Sequence, residues 1–346
     1  MPTSTLHNVR FAGMATCVPK RVVSNLTDCR PQIRSERERL VRNIGIETRR
    51  MASEWQCFSD LAFDATEVLL EKLQWKREEI DALIVVTQSP DYPIPATAII
   101  LQDRLGLSHA TVAFDVNLGC SAYPFGINLL GSMIAAGGVK KGLLLVGDRS
   151  ANLEDPIFSD SGTATALELS AAAPPMYFDL NSDGSGYKAI ILPVGGQREP
   201  VAIQHLLPYR ENEKDRWHQA TDLQLDGTAV LSFSTQRVPP AVEKLIAYAG
   251  ASKDEIDYFV FHQANRMINE TIRKKLGLAV EKVPSTLHDF GNTSGASLPV
   301  TMTARINKEL ESAPKRVLLC GFGIGLSWGT CLVDIDGAVF PDLIES

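Results

Sequence analysis

No stretch of this chain approaches 18 uninterrupted apolar residues, so a membrane-spanning helix is not expected. The N-terminal MPTSTLHNVRFAG lacks the apolar run of a secretion signal. Cysteines are few and scattered: the six, at 17, 29, 57, 120, 320 and 331, form no CxxC pair and no Cys/His cluster with metal-ligand spacing. Disulfides, zinc or any other metal are therefore not expected, and a reduced, cytoplasmic setting is. Positive charge is also short, with 34 Lys and Arg against 41 Asp and Glu. A net charge of −7 argues against general nucleic-acid binding and confines any basic patch to a local one. The Gly-rich GFGIGLSWG, Gly321 to Gly329, lacks the Walker Lys-Ser/Thr and does not fit GxGxxG, so it signals no phosphate site.

What is present suits a large globular core: 346 residues, 45% hydrophobic and 22% charged. Val9 to Ala15 reads as a first strand, and the Arg-rich residues 26 to 43 as a surface helix. Phe58 to Leu73 carries its apolar residues on one helical face, and ALIVVTQ after Glu79-Ile80-Asp81 reads as a buried strand. A helix is expected over Thr97 to Leu105, and GLLLVG (142 to 147) is another buried strand.

The second half repeats this pattern. Glu255-Ile256-Asp257 leads into YFVFHQ, and RVLLCG (316 to 321) echoes GLLLVG, at offsets of 176 and 174 residues. The second offset also sets Asp115 against Asp289 and Cys120 against Ser294. Two duplicated α/β halves with strands covered on both faces follow, with a site at their junction. The expected division is residues 1–175, a connecting insertion over 176–226, and 227–346. The insertion reads as irregular, two strands plus the polar surface stretch YRENEKDRWHQATD. Val238 to Tyr248 reads as a helix with Pro239 and Pro240 in its first turn.

Three stretches carry chemistry. In FDVNLGCSAYPFGINLL, Cys120 stands where a β-type run turns into residues with helical apolar spacing. A helix start lowers a thiol pKa and offers backbone N–H groups to a developing oxyanion. In FVFHQAN, His262 follows a buried strand, and in GNTSGAS, Asn292 sits in a turn that opens another helix. Singly, each has a commoner fate: a core thiol, a structural histidine, an N-cap. Together, at equivalent edges of two repeated halves, they describe one pocket. A thiolate attacks a thioester to give an acyl-enzyme, and an imidazole and an amide N–H stabilise an enolate formed as a carboxylate leaves. The backbone N–H of Ile324, in the glycine turn, joins that of Cys120 as an oxyanion hole.

On IGIETRR, the Cys120 elbow, FHQANxxI, KKLGL, GNTSGASLP and GFGIGLSWG, the chain resembles the β-ketoacyl-acyl carrier protein synthase III family of thiolase-like enzymes. The resemblance runs over nearly the whole chain, and the His-to-Asn interval of 30 is specific to it. It implies an α/β, five-layered αβαβα fold, a homodimer, and a decarboxylative Claisen condensation of an acyl group on Cys120 with malonyl-acyl carrier protein. His262 and Asn292 would bind the malonyl thioester carbonyl. No cofactor is implied beyond the thioester substrates, which ride on coenzyme A or acyl carrier protein. Carrier contacts are implied after the catalytic histidine, at Gln263, Ala264, Asn265, Arg266 and Met267, with Arg273, Lys274 and Lys275 nearby; a solvated helix face is the competing reading. Ile94 falls where the family reaches into the partner's acyl pocket, and Gly323 is implied with it as a substrate-pocket residue.

The chain departs from that family where coenzyme A is held. Arg39 stands in place of the adenine-stacking Trp, the loop Leu153 to Ala166 has no Arg, and GDGAGA has become SDSGTA. Three other readings stand beside condensation. One is acyl transfer to an alcohol or amine without decarboxylation. Another is a papain-like hydrolase, whose sequence context is missing. The last is a non-catalytic partner subunit, which should have lost part of the triad.

Overall fold

The computed structural model describes residues 3–29, 34–209 and 218–346. Residues 30–33 of the Arg-rich stretch and 210–217 of the polar insertion lie outside the described residues.

Two sheets dominate. The first is built from β2 (Val9–Val18), β5 (Ala82–Val86), β6 (Val112–Val116), β7 (Lys141–Asp148), β8 (Ser161–Leu169) and β15 (Ile344–Glu345). Its order is β15-β2-β8-β7-β5-β6. The second contains β1 (Thr3–Leu6), β9 (Met176–Ser182), β12 (Tyr258–Phe261), β13 (Lys315–Gly323) and β14 (Ser327–Ile335), in the order β1-β9-β14-β13-β12. Two small ribbons pair β3 (Val22–Ser24) with β4 (Thr48–Arg50), and β10 (Ile190–Ile191) with β11 (Gln224–Leu225). The helices are α1 (Arg34–Ile44), α2 (Phe58–Leu73), α3 (Thr97–Arg104), α4 (Ala122–Ala135), α5 (Gly227–Tyr248), α6 (Arg266–Leu276), α7 (Leu287–Phe290), α8 (Ser297–Arg305) and α9 (Asn307–Ser312).

Period-2 alternation explains the layering, because the central parallel strands β5 and β13 are apolar on both faces. On β5, Ala82, Ile84 and Val86 face a central core, while Leu83 and Val85 face α2 and α3. On β13, Val317 and Leu319 face the same central core, and Leu318, Cys320 and Phe322 face α5 and α6. α4 and α8 fill the space between the sheets through Ile127, Leu130, Ile134, Leu298 and Met302. The order helices, sheet, helices, sheet, helices is the five-layered αβαβα arrangement.

The duplication is explicit in the hydrogen bonding. β5 runs parallel to β7, which is antiparallel to β8; β12 runs parallel to β13, which is antiparallel to β14. β2 then continues the first set and β9 the second, both antiparallel.

One of the strands expected within 176–226 is β9, which lies between β1 and β14 because Met176 and Phe178 alternate into the central core. Two expectations are corrected. The sheets exchange termini across the expected boundaries, since β1 pairs with β9 and β15 with β2. Finally, α5 starts at Gly227, eleven residues before Val238, with Asp226 as its N-cap accepting from Thr228 N and Ala229 N. Pro239 and Pro240 therefore sit inside a helix. A helical proline frees the carbonyl four residues back, and here Thr235 O is taken by Lys275 Nζ at 2.9 Å.

Candidate active site

One cavity of about 520 Å³ opens between the two halves, and Cys120, His262 and Asn292 all line it. Each comes from a loop at the end of a strand or beside a helix start, as the repeated topology requires.

Cys120 follows β6 and precedes α4 by two residues. It is buried, and burial pushes its thiol up to about 11, against the pull of the Ile324 and Cys120 backbone N–H groups and the Ser294 hydroxyl. This corrects the expected lowering by the helix start: the field of one helix end does not offset complete desolvation. Ile324, whose backbone N–H is expected to join that of Cys120 as an oxyanion hole, lines the same cavity. The elbow and the glycine turn are tied together: Ser121 Oγ lies 2.7 Å from Ser327 Oγ, which donates to Ile324 O at 2.8 Å.

His262 continues β12, its N–H donating to Cys320 O. Burial holds its imidazole down at about 3, so it is neutral at physiological pH. Ser297 Oγ lies 2.9 Å from Nδ1 and also reaches Ser294 O at 2.8 Å. Its single hydroxyl proton serves one of the two; turned to Nδ1, it leaves the ring proton on Nε2. Phe322 packs edge-on against the ring, the centroids 5.5 Å apart.

Asn292 is fixed through its backbone, its N–H donating to Ile157 O and its carbonyl accepting from Ser159 N. Its Oδ1 accepts the Ser294 N–H at 2.9 Å. The amide's acceptor end is thereby engaged, and its Nδ2 is the end left for the cavity.

The other candidates fall into two groups. Ala264 and Asn265 line the cavity, Asn265 also capping α6 by accepting from Ile268 N. Arg266, Met267 and Lys274 are exposed on α6. Gln263 is corrected: it is buried, donates to Phe261 O and accepts from Ser285 Oγ and Thr286 N, so it locks the loop and offers nothing to a partner. Arg273 is likewise engaged with Glu270 and Leu278 O. Gly323 faces Cys120 in the cavity, whereas Ile94 is 85% exposed and outside its lining. Arg39 is exposed on α1. The six cysteines are free, and among the described residues no cluster could hold a metal.

Sequence reasoning missed Asp148, Ser294 and Ser297 around the nucleophile and Arg149 at the mouth. Two signals pointed to them: Ser294 is the repeat counterpart of Cys120, and Asp148 is a carboxylate ending an otherwise apolar strand.

Residues 246–335 match a family model described as 3-oxoacyl-[acyl-carrier-protein] synthase III C terminal. The chain is 31% identical over 333 residues to a β-ketoacyl-[acyl-carrier-protein] synthase III of Syntrophomonas wolfei, covering 94% of this chain and 97% of that one. A protein of the same name from Rhodopirellula baltica is 30% identical, over 94% and 98%. Among solved structures, a 3-oxoacyl-(acyl-carrier protein) synthase from Burkholderia xenovorans superposes with a TM-score of 0.92 at 34% identity, over 100% and 99% of the two chains.

Proposed function

The chain belongs to the β-ketoacyl-[acyl-carrier-protein] synthase III family of condensing acyltransferases, and from that premise we propose that Cys120, His262 and Asn292 run its two half-reactions in one cavity. In the first, the Cys120 sulfur attacks the carbonyl of an acyl thioester. The tetrahedral oxyanion is held by the Cys120 and Ile324 N–H groups, and the carrier thiol leaves. In the second, a malonyl thioester enters and its carbonyl oxygen meets Asn292 Nδ2 and His262 Nε2. A neutral imidazole and a neutral amide suit this step, because two donors stabilise the enolate as CO₂ departs without trapping it as an ion pair. The enolate carbon attacks the acyl-Cys carbonyl, and collapse of that intermediate releases a 3-oxoacyl product and the thiol.

The observation that carries this reading is the shared cavity itself, which Cys120, Ile324, His262 and Asn292 all line, with the Asn292 amide's acceptor end already engaged. The malonyl thioester is proposed to arrive on acyl carrier protein, docking at exposed Arg266, Met267 and Lys274, whose two cations suit an acidic carrier. The donor rides on coenzyme A or a carrier; the absence of an aromatic at Arg39 favours a carrier. A homodimer is proposed, with exposed Ile94 serving the neighbouring subunit's acyl pocket, in a cytoplasmic enzyme that needs no cofactor or metal.

The test is intact-protein mass spectrometry after incubation with a panel of acyl-coenzyme A and acyl-carrier thioesters, then malonyl-carrier protein. A Cys120-dependent adduct that disappears on malonyl addition, with a 3-oxoacyl product, is expected. An adduct that ignores the malonyl carrier but transfers to an alcohol or amine would overturn condensation, and no adduct from any donor would overturn the acyl-enzyme.

A further inference from the structure

The small ribbon of β3 and β4 belongs to neither main sheet, yet Arg49 on β4 is 1% exposed and Asn25, just after β3, 2%. Arg49 Nη1 donates to Asn152 O at 3.0 Å and Phe158 O at 2.9 Å, and its Nε donates to Asn25 Oδ1 at 2.9 Å. Asn25 Nδ2 in turn donates to Pro156 O at 2.8 Å and to Ile46 O at 3.0 Å. Arg37, buried on α1, donates through Nη2 to Glu154 O at 2.9 Å. The alternate carbonyls of one segment, 152, 154, 156 and 158, are thus all held by the side chains of three residues.

The other side of that segment is the site. Asn152, Asp155, Ile157 and Phe158 line the cavity. Ile157 O accepts the Asn292 N–H at 3.0 Å, Ser159 N donates to Asn292 O at 2.9 Å, and Phe158 and Asn292 stand paired in a parallel bridge. Arg49 also meets the asparagine loop directly. A β-carbon on Gly291, which holds φ at +60°, would lie 3.2 Å from Arg49 Cγ and 2.8 Å from Ile157 O. Guanidinium, segment and asparagine are therefore in unbroken contact.

A connecting segment ordinarily leaves its carbonyls to water. Burying two guanidinium groups to hold them instead costs desolvation. What it secures is a single geometry, because a planar fork fixes the carbonyls that it bridges. For Asn292 that geometry decides the chemistry. Its backbone hangs on Ile157 and Ser159, and its Oδ1 is taken by Ser294 N, so the direction of Nδ2 follows the segment. A reacting group misplaced by about 1 Å loses about 10²-fold in rate.

We propose that Arg49 and Asn25 are positioning residues for the condensation step: they hold the 152–158 segment, and the segment holds Asn292. Neither lines the cavity, so both act through Asn292. Cys120 stands between β6 and α4, outside this chain of contacts, and its acylation is spared. The assignment rests on the proposed role of Asn292 in condensation.

Single-turnover intact-protein mass spectrometry measures the two steps on Arg49→Lys, which keeps the charge and loses the fork, and on Asn25→Ala. At saturating malonyl-carrier protein both are expected to clear the acyl adduct about 10²-fold more slowly, with acylation of Cys120 within about threefold of wild type. Equal losses in the two steps, or condensation at the wild-type rate, would overturn the proposal. Hydrogen exchange adds a readout that needs no thioester. Peptides covering 155–160 and 288–294 are expected to exchange about tenfold faster in both variants, and the peptide around Cys120 at the wild-type rate. Exchange unchanged around Asn292, or raised throughout the protein, would equally overturn it. If thermal unfolding shows that Arg49→Lys is not folded, Asn25→Ala decides alone, by the same criteria. The confined exchange pattern in a protein that forms no acyl adduct from any donor would sink the proposed function and leave the clamp on Asn292 standing.

Discussion

A β-carbon on Gly323 would lie 2.6 Å from Cβ of Cys120 and 3.0 Å from its sulfur. The glycine turn therefore touches the nucleophile, and Gly323 holds φ at +156°, which L side chains rarely adopt. Gly323→Ala should displace the adjoining Ile324 N–H from the sulfur. Acyl-enzyme formation is expected to fall about 10²–10³-fold, the scale of losing one preorganised donor. A variant that acylates at the wild-type rate by intact mass would deny Ile324 its place in the oxyanion hole.

In the proposed mechanism Asn292 offers an amide donor to the second half-reaction and nothing to the first. Asn292→Ala should leave acylation of Cys120 largely intact and lower condensation about 10²–10³-fold. Single-turnover mass spectrometry separates the two steps, and equal losses in both would remove Asn292 from the role assigned to it.

Ser297 holds His262 Nδ1 at 2.9 Å and so decides which ring nitrogen presents a proton to the cavity. Ser297→Ala should cost condensation about 10²-fold while acylation holds, with Ser297→Thr restoring part of the loss. A uniform fall in both steps, accompanied by a lower melting temperature, would mean that Ser297 serves folding alone.

His262 gives a pH dependence of definite sign. Its folded pKa, about 3, lies below the ordinary 6.5, so the unfolded chain binds the proton more tightly. The neutral ring's contribution to stability is complete above about pH 6.5 and declines steadily as pH falls towards 3. His262→Gln should flatten that part of the stability curve in thermal unfolding between about pH 4 and 7. Parallel curves for the two proteins would contradict a neutral, buried imidazole.

Arg266 and Lys274 are exposed on α6, whereas Gln263 is spent inside. Arg266→Glu and Lys274→Glu should raise KM for carrier-bound malonyl several-fold, an effect that weakens with salt, and leave melting unchanged. Gln263→Ala should do the reverse, costing about 1–3 kcal/mol of stability through unpaired buried groups. KM values indifferent to both charge reversals would move the docking surface elsewhere.

Much of this was written in the chain itself. The paired apolar runs at offsets of 176 and 174 predicted the two sheets, because strands buried on both faces leave an unbroken hydrophobic signature. Cys120, His262 and Asn292 were legible because each follows a strand or opens a helix within a short, residue-specific stretch. Less was legible where one segment joins another half of the molecule. The extended Thr3–Leu6 lies on the second sheet and not the first, a choice made by its pairing with β9. Local spacing alone put Pro239 at a helix start, but the freed Thr235 carbonyl finds Lys275 only once α6 is packed alongside.

The sequence by itself determined the fold class, the repeat and the three side chains that meet in one cavity, since periodicity and residue type are local properties. Only the tertiary structure decided their electrostatics. Burial is a property of the whole assembled core, and it turned the expected low-pKa thiol into one raised to about 11. It also brought Asp148 and Ser294, from opposite halves of the chain, into the cavity that holds that thiol.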